Sequence, residues 1–206
     1  MITSSKRNKN YRDVDDRIVD SFLTLVAKKR ITEITITEIC NHAGINHTTF
    51  YRHYKGIWQI PETLHAFFYK QADLIIQNFN GKEFFNNPST FFNNIINKKI
   101  LENIELYKKL GVLRTAPEFF VTFAKYLVEK LVLIEQSNRP GKIADEKLYA
   151  SIYFSIAGIC FVYISWLRGE LKCSLETVTN EVSHAIMSKY HYNKEVLGYD
   201  RFFEDI

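Results

Sequence analysis

An all-α fold is predicted for this chain of 206 residues. Apolar residues recur three and four positions apart through most of its length, which is the spacing of one face of a helix. Runs in which apolar and polar residues alternate, as they do in strands, are absent from the sequence. Gly, Pro and Asn cluster between the periodic stretches and mark turns. Roughly nine helices account for the whole pattern.

The first helices are predicted near the N-terminus. One runs from about residue 14 to 29, where residues such as Ile18 and Phe22 form an apolar stripe. A shorter helix follows, and Thr35 is predicted to cap it. Glu38 lies three residues later and completes a capping box by accepting a hydrogen bond from the Thr35 amide. The stretch therefore begins a helix-turn-helix pattern.

The turn and the next helix complete this pattern. Gly44 suits the positive φ that ends a helix, and Asn46 is a good N-cap for the helix that follows. In that helix Phe50 and Tyr54 are predicted to face inward. Its outward side chains are suited to hydrogen-bond phosphates and base edges. These are His47, Thr48, Thr49, Arg52 and His53.

The remaining helices are read from apolar periodicity and from turn residues. Pro61 lacks an amide hydrogen, so the next helix begins near residues 58 to 60 or bends at Pro61. Ser174 is a good cap for the last helix. The last 16 residues carry no clear pattern. The predicted spans are about 58–79, 89–97, 100–110, 117–136, 144–168 and 175–190.

The positive charge is concentrated in the first third of the chain. Residues 1–72 hold 11 Lys and Arg against 7 Asp and Glu, whereas residues 73–206 hold 16 of each. Residues 1–11 form a predicted flexible basic arm, and the basic group extends to Arg12. Such an arm can neutralise phosphates or enter a minor groove, and the alternative is a solvated tail. The basic residues are Lys6, Arg7, Lys9 and Arg12.

Several function classes are not supported by the sequence. No apolar run appears long enough to span a membrane, and the polar N-terminus does not resemble a signal peptide. Three widely spaced cysteines favour reduced thiols and a cytoplasmic protein. Paired catalytic acids, glycine-rich phosphate loops and HExxH-type spacing are absent, so neither an enzyme, a cofactor nor a metal site is predicted.

The helix-turn-helix resembles that of the TetR family of transcriptional regulators. Three strings carry the likeness: Thr-Ile-Thr-Glu-Ile-Cys at 35–40, Ala-Gly-Ile at 43–45, and Thr-Thr-Phe-Tyr-Arg-His-Tyr at 48–54. The resemblance covers about residues 12–72. It implies a DNA-binding domain there, and a ligand-binding and dimerisation domain over residues 73–206.

The resemblance implies a double-stranded DNA operator as partner. Family members usually have Lys at the position of Ile57 here, where it binds phosphate, and Lys55 could replace it. Tyr51 is expected to contact the phosphate backbone, whereas His47 and Thr48 are expected to read bases. The predicted DNA-binding residues are Thr35, Thr37, Asn46, His47, Thr48, Thr49, Tyr51, Arg52, His53 and Lys55.

A homodimer built from the last two long helices is also implied. Small residues along the penultimate helix permit close approach of a second helix, and large neighbours fill the flanks. The alternative is that both helices belong to an intramolecular core. The predicted interface residues are Ser151, Ser155, Gly158, Ile159, Trp166, Val178, Val182 and Ile186.

An effector site is predicted from the aromatic residues of the C-terminal domain. Their rings could line a cavity for a small apolar or aromatic molecule, and few charges accompany them. The alternative is that they form ordinary core. The predicted ligand-binding residues are Phe67, Phe68, Phe92, Tyr107, Phe120, Phe123, Tyr126 and Phe154.

The sequence thus predicts a ligand-responsive regulator that binds a palindromic operator. Repression is the sign of control expected from the family, and activation is an alternative. A helical protein-interaction module without sequence-specific DNA binding is a second alternative. Enrichment of a palindrome from a random duplex pool, with steep salt dependence, distinguishes a regulator from such a module.

Overall fold

The computed structural model describes residues 3–111, 113, 116–138 and 146–196, with side chains over 11–111, 113, 119–134, 146 and 149–189. Every regular element in these described residues is helical, which confirms the predicted all-α fold. The chain divides into two compact units. The first comprises residues 1–67 with 112–116, and the second comprises residues 68–111 with 117–206.

The first unit contains the N-terminal helices and the start of the helix that follows them. A single-turn 3-10 helix, Ile31–Glu33, was not predicted. The α-helices are α1 Thr3–Val26, α2 Ile36–Ala43, α3 His47–His53 and α4 Gln59–Gln77, of which α4 continues into the second unit.

The bounds of α1 differ from the prediction of residues 14–29. The helix begins at Thr3 and ends at Val26, so the backbone of residues 3–11 is helical. Apolar periodicity cannot detect a turn of helix whose residues are all polar, and this stretch contains neither Gly nor Pro to stop it. Contact of its basic side chains with DNA stays a prediction.

The core of the first unit joins its helices around a few fully buried side chains. Ile18 of α1, Ile39 of α2, Phe50 of α3 and Ile60 of α4 have no exposed surface. They lie at the helical spacing that the sequence predicts, with Tyr54 also buried as expected. Packing on this core holds the short helix α3, which is too short to be stable alone.

The start of α4 agrees with the sequence. The helix begins at Gln59, which places Pro61 in its first turn. A proline is tolerated there because the first amides of a helix have no intrahelical acceptor. The side chain of Gln59 also accepts a hydrogen bond from the Lys55 amide at 2.7 Å, which closes the preceding turn.

The second unit is divided more finely than the sequence predicts. The short helix α5 was not predicted, and the predicted span 89–97 is a short α-helix followed by a π-helix, Phe92–Asn97. The α-helices are α5 Gly81–Asn86, α6 Pro88–Phe91, α7 Lys98–Glu102, α8 Ile104–Gly111, α9 Ala116–Asn138, α10 Glu146–Leu167 and α11 Leu175–Val196.

A buried polar network links the π-helix to α10 and α11. The Asn97 amide donates to the Thr179 hydroxyl at 2.7 Å, and the Tyr163 hydroxyl donates to the Asn97 carbonyl oxygen at 2.9 Å. All three side chains are buried. Such bonds fix the register of three elements, because a slip would leave buried polar atoms without partners.

Helix α10 is unusually apolar. Its stretch Tyr149–Leu167 is, by length and composition, long and apolar enough to cross a membrane, and only 22% of it is buried. The expectation that no such run exists was therefore wrong, because Ser155, Gly158 and Ser165 interrupt the stretch without adding charge. Within the described residues it is the single helix with this property.

Candidate functional site

The turn between α2 and α3 is built by local hydrogen bonds that the sequence predicts. The Glu38 amide donates to the Thr35 hydroxyl at 3.2 Å, and the Thr35 amide donates to the Glu38 carboxylate at 2.9 Å. Gly44 ends α2 with a φ of 63°. The Asn46 side chain then caps α3 by accepting from the Thr49 amide at 2.8 Å.

An arginine from α1 reinforces this turn. Arg17 Nη1 donates to the carbonyl of Ala43 at 3.0 Å, one of the last carbonyls of α2. Those carbonyls have no partner within the helix, so the guanidinium satisfies one of them. The contact fixes α1 against the point where the chain turns from α2 into α3.

The exposed side of α3 carries four side chains, which we call the α3 surface. Tyr51 is 56% exposed, and the other three are exposed as well. His47 Nε2 lies 3.2 Å from the Thr37 hydroxyl, so these predicted DNA contacts form a hydrogen bond with each other. The α3 surface consists of His47, Thr48, Tyr51 and Arg52.

Some predicted DNA-binding residues have local roles in this structure. The hydroxyl of Thr35 and the side chain of Asn46 are engaged by the caps, and Thr49 is half-buried. Thr37 and Lys55 are exposed. Thr35, Asn46 and Thr49 therefore position the turn, whereas Thr37 and Lys55 remain accessible to a partner.

The predicted outward orientation of His53 is wrong. Its side chain is only 4% exposed, and its ring stacks on Tyr11 with centroids 3.9 Å apart. Its Nδ1 lies 3.4 Å from a carboxylate oxygen of Asp15. Because α1 extends farther toward the N-terminus than predicted, Tyr11 covers the end of α3. His53 thus joins α1 to α3 and is not part of the α3 surface.

Trp58 is a large apolar residue that is 58% exposed. It lies immediately before the start of α4, next to Ile57, which is half-buried. The indole N–H is a hydrogen-bond donor. Because Trp58 lies just outside α4, helical periodicity could not have shown its exposure.

The charge of Glu38 is stabilised by its neighbours. The Lys29 ammonium donates to Glu38 Oε1 at 2.5 Å, and this bond, followed by the Thr35 amide, lowers the pKa of Glu38 from 4.5 to about 2. A carboxylate with a lowered pKa stabilises the fold above pH 4.5 and loses this contribution as the pH falls toward 2.

Replacing Glu38 with Gln is therefore expected to reduce stability above pH 4.5 and to flatten its acid dependence between pH 4.5 and 2. Thermal melts followed by circular dichroism across this range measure the effect. Glu129→Gln, at an exposed position of α9, is the control. Parallel pH profiles for the wild type and Glu38→Gln would show that the capping box does not carry this dependence.

An apolar cavity lies within the second unit. Its volume is about 160 Å³, and residues of α4, of the segments from α5 to α9 and of α10 line it. Most lining side chains are aliphatic or aromatic. Burial raises the pKa of Cys160, on the wall, to about 12, so its thiol stays protonated. The cavity suits an uncharged apolar molecule.

Five of the eight predicted ligand-binding residues line this cavity, and three do not. Phe67 belongs to the first unit. Tyr126 instead donates a hydrogen bond to Asp73 at 2.8 Å, and Phe154 is 73% exposed. Ring composition alone cannot assign a face to a helix, which explains these errors. The five that line it are Phe68, Phe92, Tyr107, Phe120 and Phe123.

The predicted dimer residues also separate into exposed and internal positions. Gly158 is exposed, whereas Val178 and Val182 are buried within the chain and Ile159 lines the cavity. The interface prediction was wrong for Val178 and Val182. Ile159 is partly exposed, and its place in an interface stays a prediction. Trp166 donates to the carbonyl of Cys173 at 3.1 Å. The other predicted interface residues are partly exposed, and they are Ser151, Ser155 and Ile186.

Four exposed side chains follow one face of α10, and we call them the α10 stripe. Its two rings, Phe154 and Phe161, are 73% and 67% exposed. Positions four, four and three residues apart share one face of a helix. Small and large side chains alternate along this face. The stripe consists of Ala150, Phe154, Gly158 and Phe161.

Among solved structures, the chain is similar to the dihydroxyacetone kinase operon activator DhaS. The TM-score is 0.51 at 19% sequence identity, and the match covers 85% of this chain and 95% of that one. No protein-family model matches the sequence, and no curated protein does. At this identity the likeness is one of fold.

Proposed function

We propose that the chain is a DNA-binding transcription regulator. The observation that carries this proposal is the α3 surface, a cluster of hydrogen-bonding side chains on a short helix that is capped and packed on a rigid core. A helix presented in this way fits the major groove of DNA. Contacts with DNA phosphates are expected to strengthen this binding. Lys55 and the basic residues at the start of α1 would make these contacts.

A selection from a random duplex pool tests this function. The full chain is expected to enrich a palindrome-like motif, with an affinity that falls steeply with salt. Failure to enrich any motif at low salt would contradict the proposal. It would favour the alternative of a protein-interaction module, in which the α3 surface binds another protein.

Three substitutions on the α3 surface test the roles of its residues. His47→Ala and Thr48→Ala are expected to relax preference at particular base pairs, by about 1 to 3 kcal/mol at each. Tyr51→Ala is expected to weaken binding to all sequences alike, because a phosphate contact carries no base information. Binding to every single-base variant of the selected motif measures both effects.

Thr63→Ala is a matched control for Thr48→Ala. Thr63 is also exposed, but its hydroxyl donates to the Gln59 carbonyl within α4 at 2.9 Å. The control is expected to leave specificity unchanged. Equal loss on every sequence for His47→Ala would contradict its base-reading role.

We infer that the protein acts as a homodimer through the α10 stripe. Exposed rings alternating with Ala150 and Gly158 allow a second copy to place its rings against the small residues, as a two-fold interface requires. A dimer also presents two α3 surfaces to two half-sites, which a tight palindromic site needs.

A second copy explains the apolar face of α10 better than lipid does. The opposite side of the helix packs within the second unit, where Ser165 is buried and Tyr163 belongs to the polar network. A membrane span would instead place lipid against most of its circumference. We therefore propose that the protein is cytoplasmic and has no membrane partner. We also propose that it acts by binding and not by catalysis.

The sign of control is proposed to be repression, relieved when an effector fills the cavity. Activation is the alternative, and the name of DhaS, an operon activator, favours it. A reporter placed behind the selected motif decides between them. Reporter output that falls when the protein is supplied supports repression, and output that rises supports activation.

A further inference from the structure

One polar side chain in the wall of the cavity lacks a hydrogen-bond partner. Gln71 of α4 is 8% exposed, and its Oε1 is buried without a donor. It lies on the same helix face as Phe68 and Ile75, which also line the cavity. A buried amide oxygen destabilises the chain when nothing donates to it.

The other polar side chains of the wall have a different status. The Tyr163 hydroxyl donates to Asn97 at 2.9 Å, and Lys99 Nζ lies 3.3 Å from a Glu102 carboxylate oxygen. Burial keeps both the Cys160 thiol and the Tyr107 hydroxyl protonated, because it raises the pKa of each to about 12. Among the buried side-chain oxygens and nitrogens that the structure describes along this wall, Gln71 Oε1 is the one without a partner.

We propose that the cavity binds a neutral single-ring molecule carrying a hydroxyl group, and that this hydroxyl donates to Gln71 Oε1. The inference rests on the proposed effector role of the cavity. The cavity, at about 160 Å³, is comparable with an apolar cavity of roughly 150 Å³ that holds benzene. The apolar wall accommodates the ring, and the amide selects the hydroxyl.

A hydroxyl fits this position for two reasons. It both donates and accepts, so it satisfies the carboxamide whichever way its oxygen and nitrogen point. It is also uncharged at neutral pH when borne by a phenol or an alcohol. A carboxylate or an ammonium group would have to lose its hydration in an apolar cavity, which is far more costly.

The test compares two probes that differ by the hydroxyl, 4-methylphenol and toluene. Both are titrated into the full-length protein by calorimetry. The wild type is expected to bind 4-methylphenol about ten-fold more tightly than toluene, since a buried hydrogen bond replaces an unpaired oxygen. In Gln71→Leu, of similar volume, this preference is expected to be lost, while toluene binding is retained or strengthened.

Gln77→Leu is the matched control, because Gln77 is an exposed residue of the same helix. It is expected to retain the preference for 4-methylphenol. Thermal melts check the fold, and Gln71→Leu is expected to melt no lower than the wild type because it removes an unpaired polar group. If Gln71→Leu still prefers 4-methylphenol over toluene, the hydroxyl binds another group of the wall and the inference is wrong.

Two further results would overturn the inference. Equal affinity of the wild type for both probes would show that the amide does not select a hydroxyl, and binding of neither would show that the cavity does not take a single ring. Operator selection is measured separately, without either probe. A chain that enriches no DNA motif but prefers 4-methylphenol would contradict the regulator proposal and leave the cavity assignment standing.

Discussion

Replacing Phe154 with Glu is expected to convert the proposed homodimer into a monomer of 24.2 kDa. The side chain is 73% exposed at the middle of the α10 stripe, so the chain itself tolerates a charge there. A two-fold interface would bury the new carboxylate in each subunit, and desolvating it together with the Lys189 ammonium, which lies 4.9 Å from the Phe154 ring centroid, costs several kcal/mol. Sedimentation velocity without detergent measures the change.

Gly158 offers a second test of the same interface. Apart from its two chain neighbours and the backbone of its own helix, a Cβ added at this position would meet no atom within 4 Å. Gly158→Leu is therefore expected to stabilise the monomer, since Leu favours a helix by about 1 kcal/mol relative to Gly. It is expected to weaken the dimer, because a partner helix could no longer approach closely.

Val121→Glu is the control for Phe154→Glu, because Val121 is also an exposed apolar residue but lies on α9. It is expected to leave the dimer intact. Both α10 variants are expected to lose tight operator binding while retaining weak, salt-sensitive binding to one half-site. A wild type that sediments as a monomer, or a Phe154→Glu variant that remains a dimer, would contradict the proposed interface.

Replacing Asn97 with Ala is expected to lower the free energy of unfolding by about 2 to 4 kcal/mol. The change leaves the buried Tyr163 hydroxyl without its acceptor and removes the donor to Thr179. It also opens a small void where three helical elements meet. Urea unfolding followed by circular dichroism measures the loss.

Two further variants distinguish the loss of the polar network from a general effect of substitution in the π-helix. Asn94 lies in the same π-helix at an exposed position. Asn94→Ala is therefore expected to lower the free energy of unfolding only slightly. Tyr163→Phe removes one hydrogen bond and keeps the ring. It is expected to lower the free energy of unfolding by about 1 kcal/mol. If Asn94→Ala and Asn97→Ala destabilise the chain equally, the π-helix backbone and not the network determines the effect.

The parts of the first unit predicted most accurately depend on contacts close in sequence. Thr35 bonds a residue three positions away, Asn46 does the same, and Gly44 has the positive φ that its lack of a side chain allows. Such contacts follow from residue type and spacing alone. The helix-turn-helix was therefore predictable in detail from a short string.

The errors concern residues whose neighbours are distant in sequence. His53 was assigned to the exposed side of α3, but Tyr11, 42 positions earlier in the chain, stacks on its ring. Val178 and Val182 were assigned to an interface between subunits, but they are buried within their own. Helical periodicity identifies which residues share a face. It does not identify what that face packs against.

The sequence by itself determined the all-α class, the capped turn between α2 and α3, and the outward positions of His47, Thr48 and Arg52 on α3. Each of these depends on the period of the helix or on hydrogen bonds spanning three or four residues. Only the tertiary structure decided that Gln71 lies unpaired in a cavity wall, that Asn97 joins three elements, and that Phe154 faces outward. These facts depend on which helices pack against each other. Burial at helix–helix contacts is a property of the folded chain as a whole.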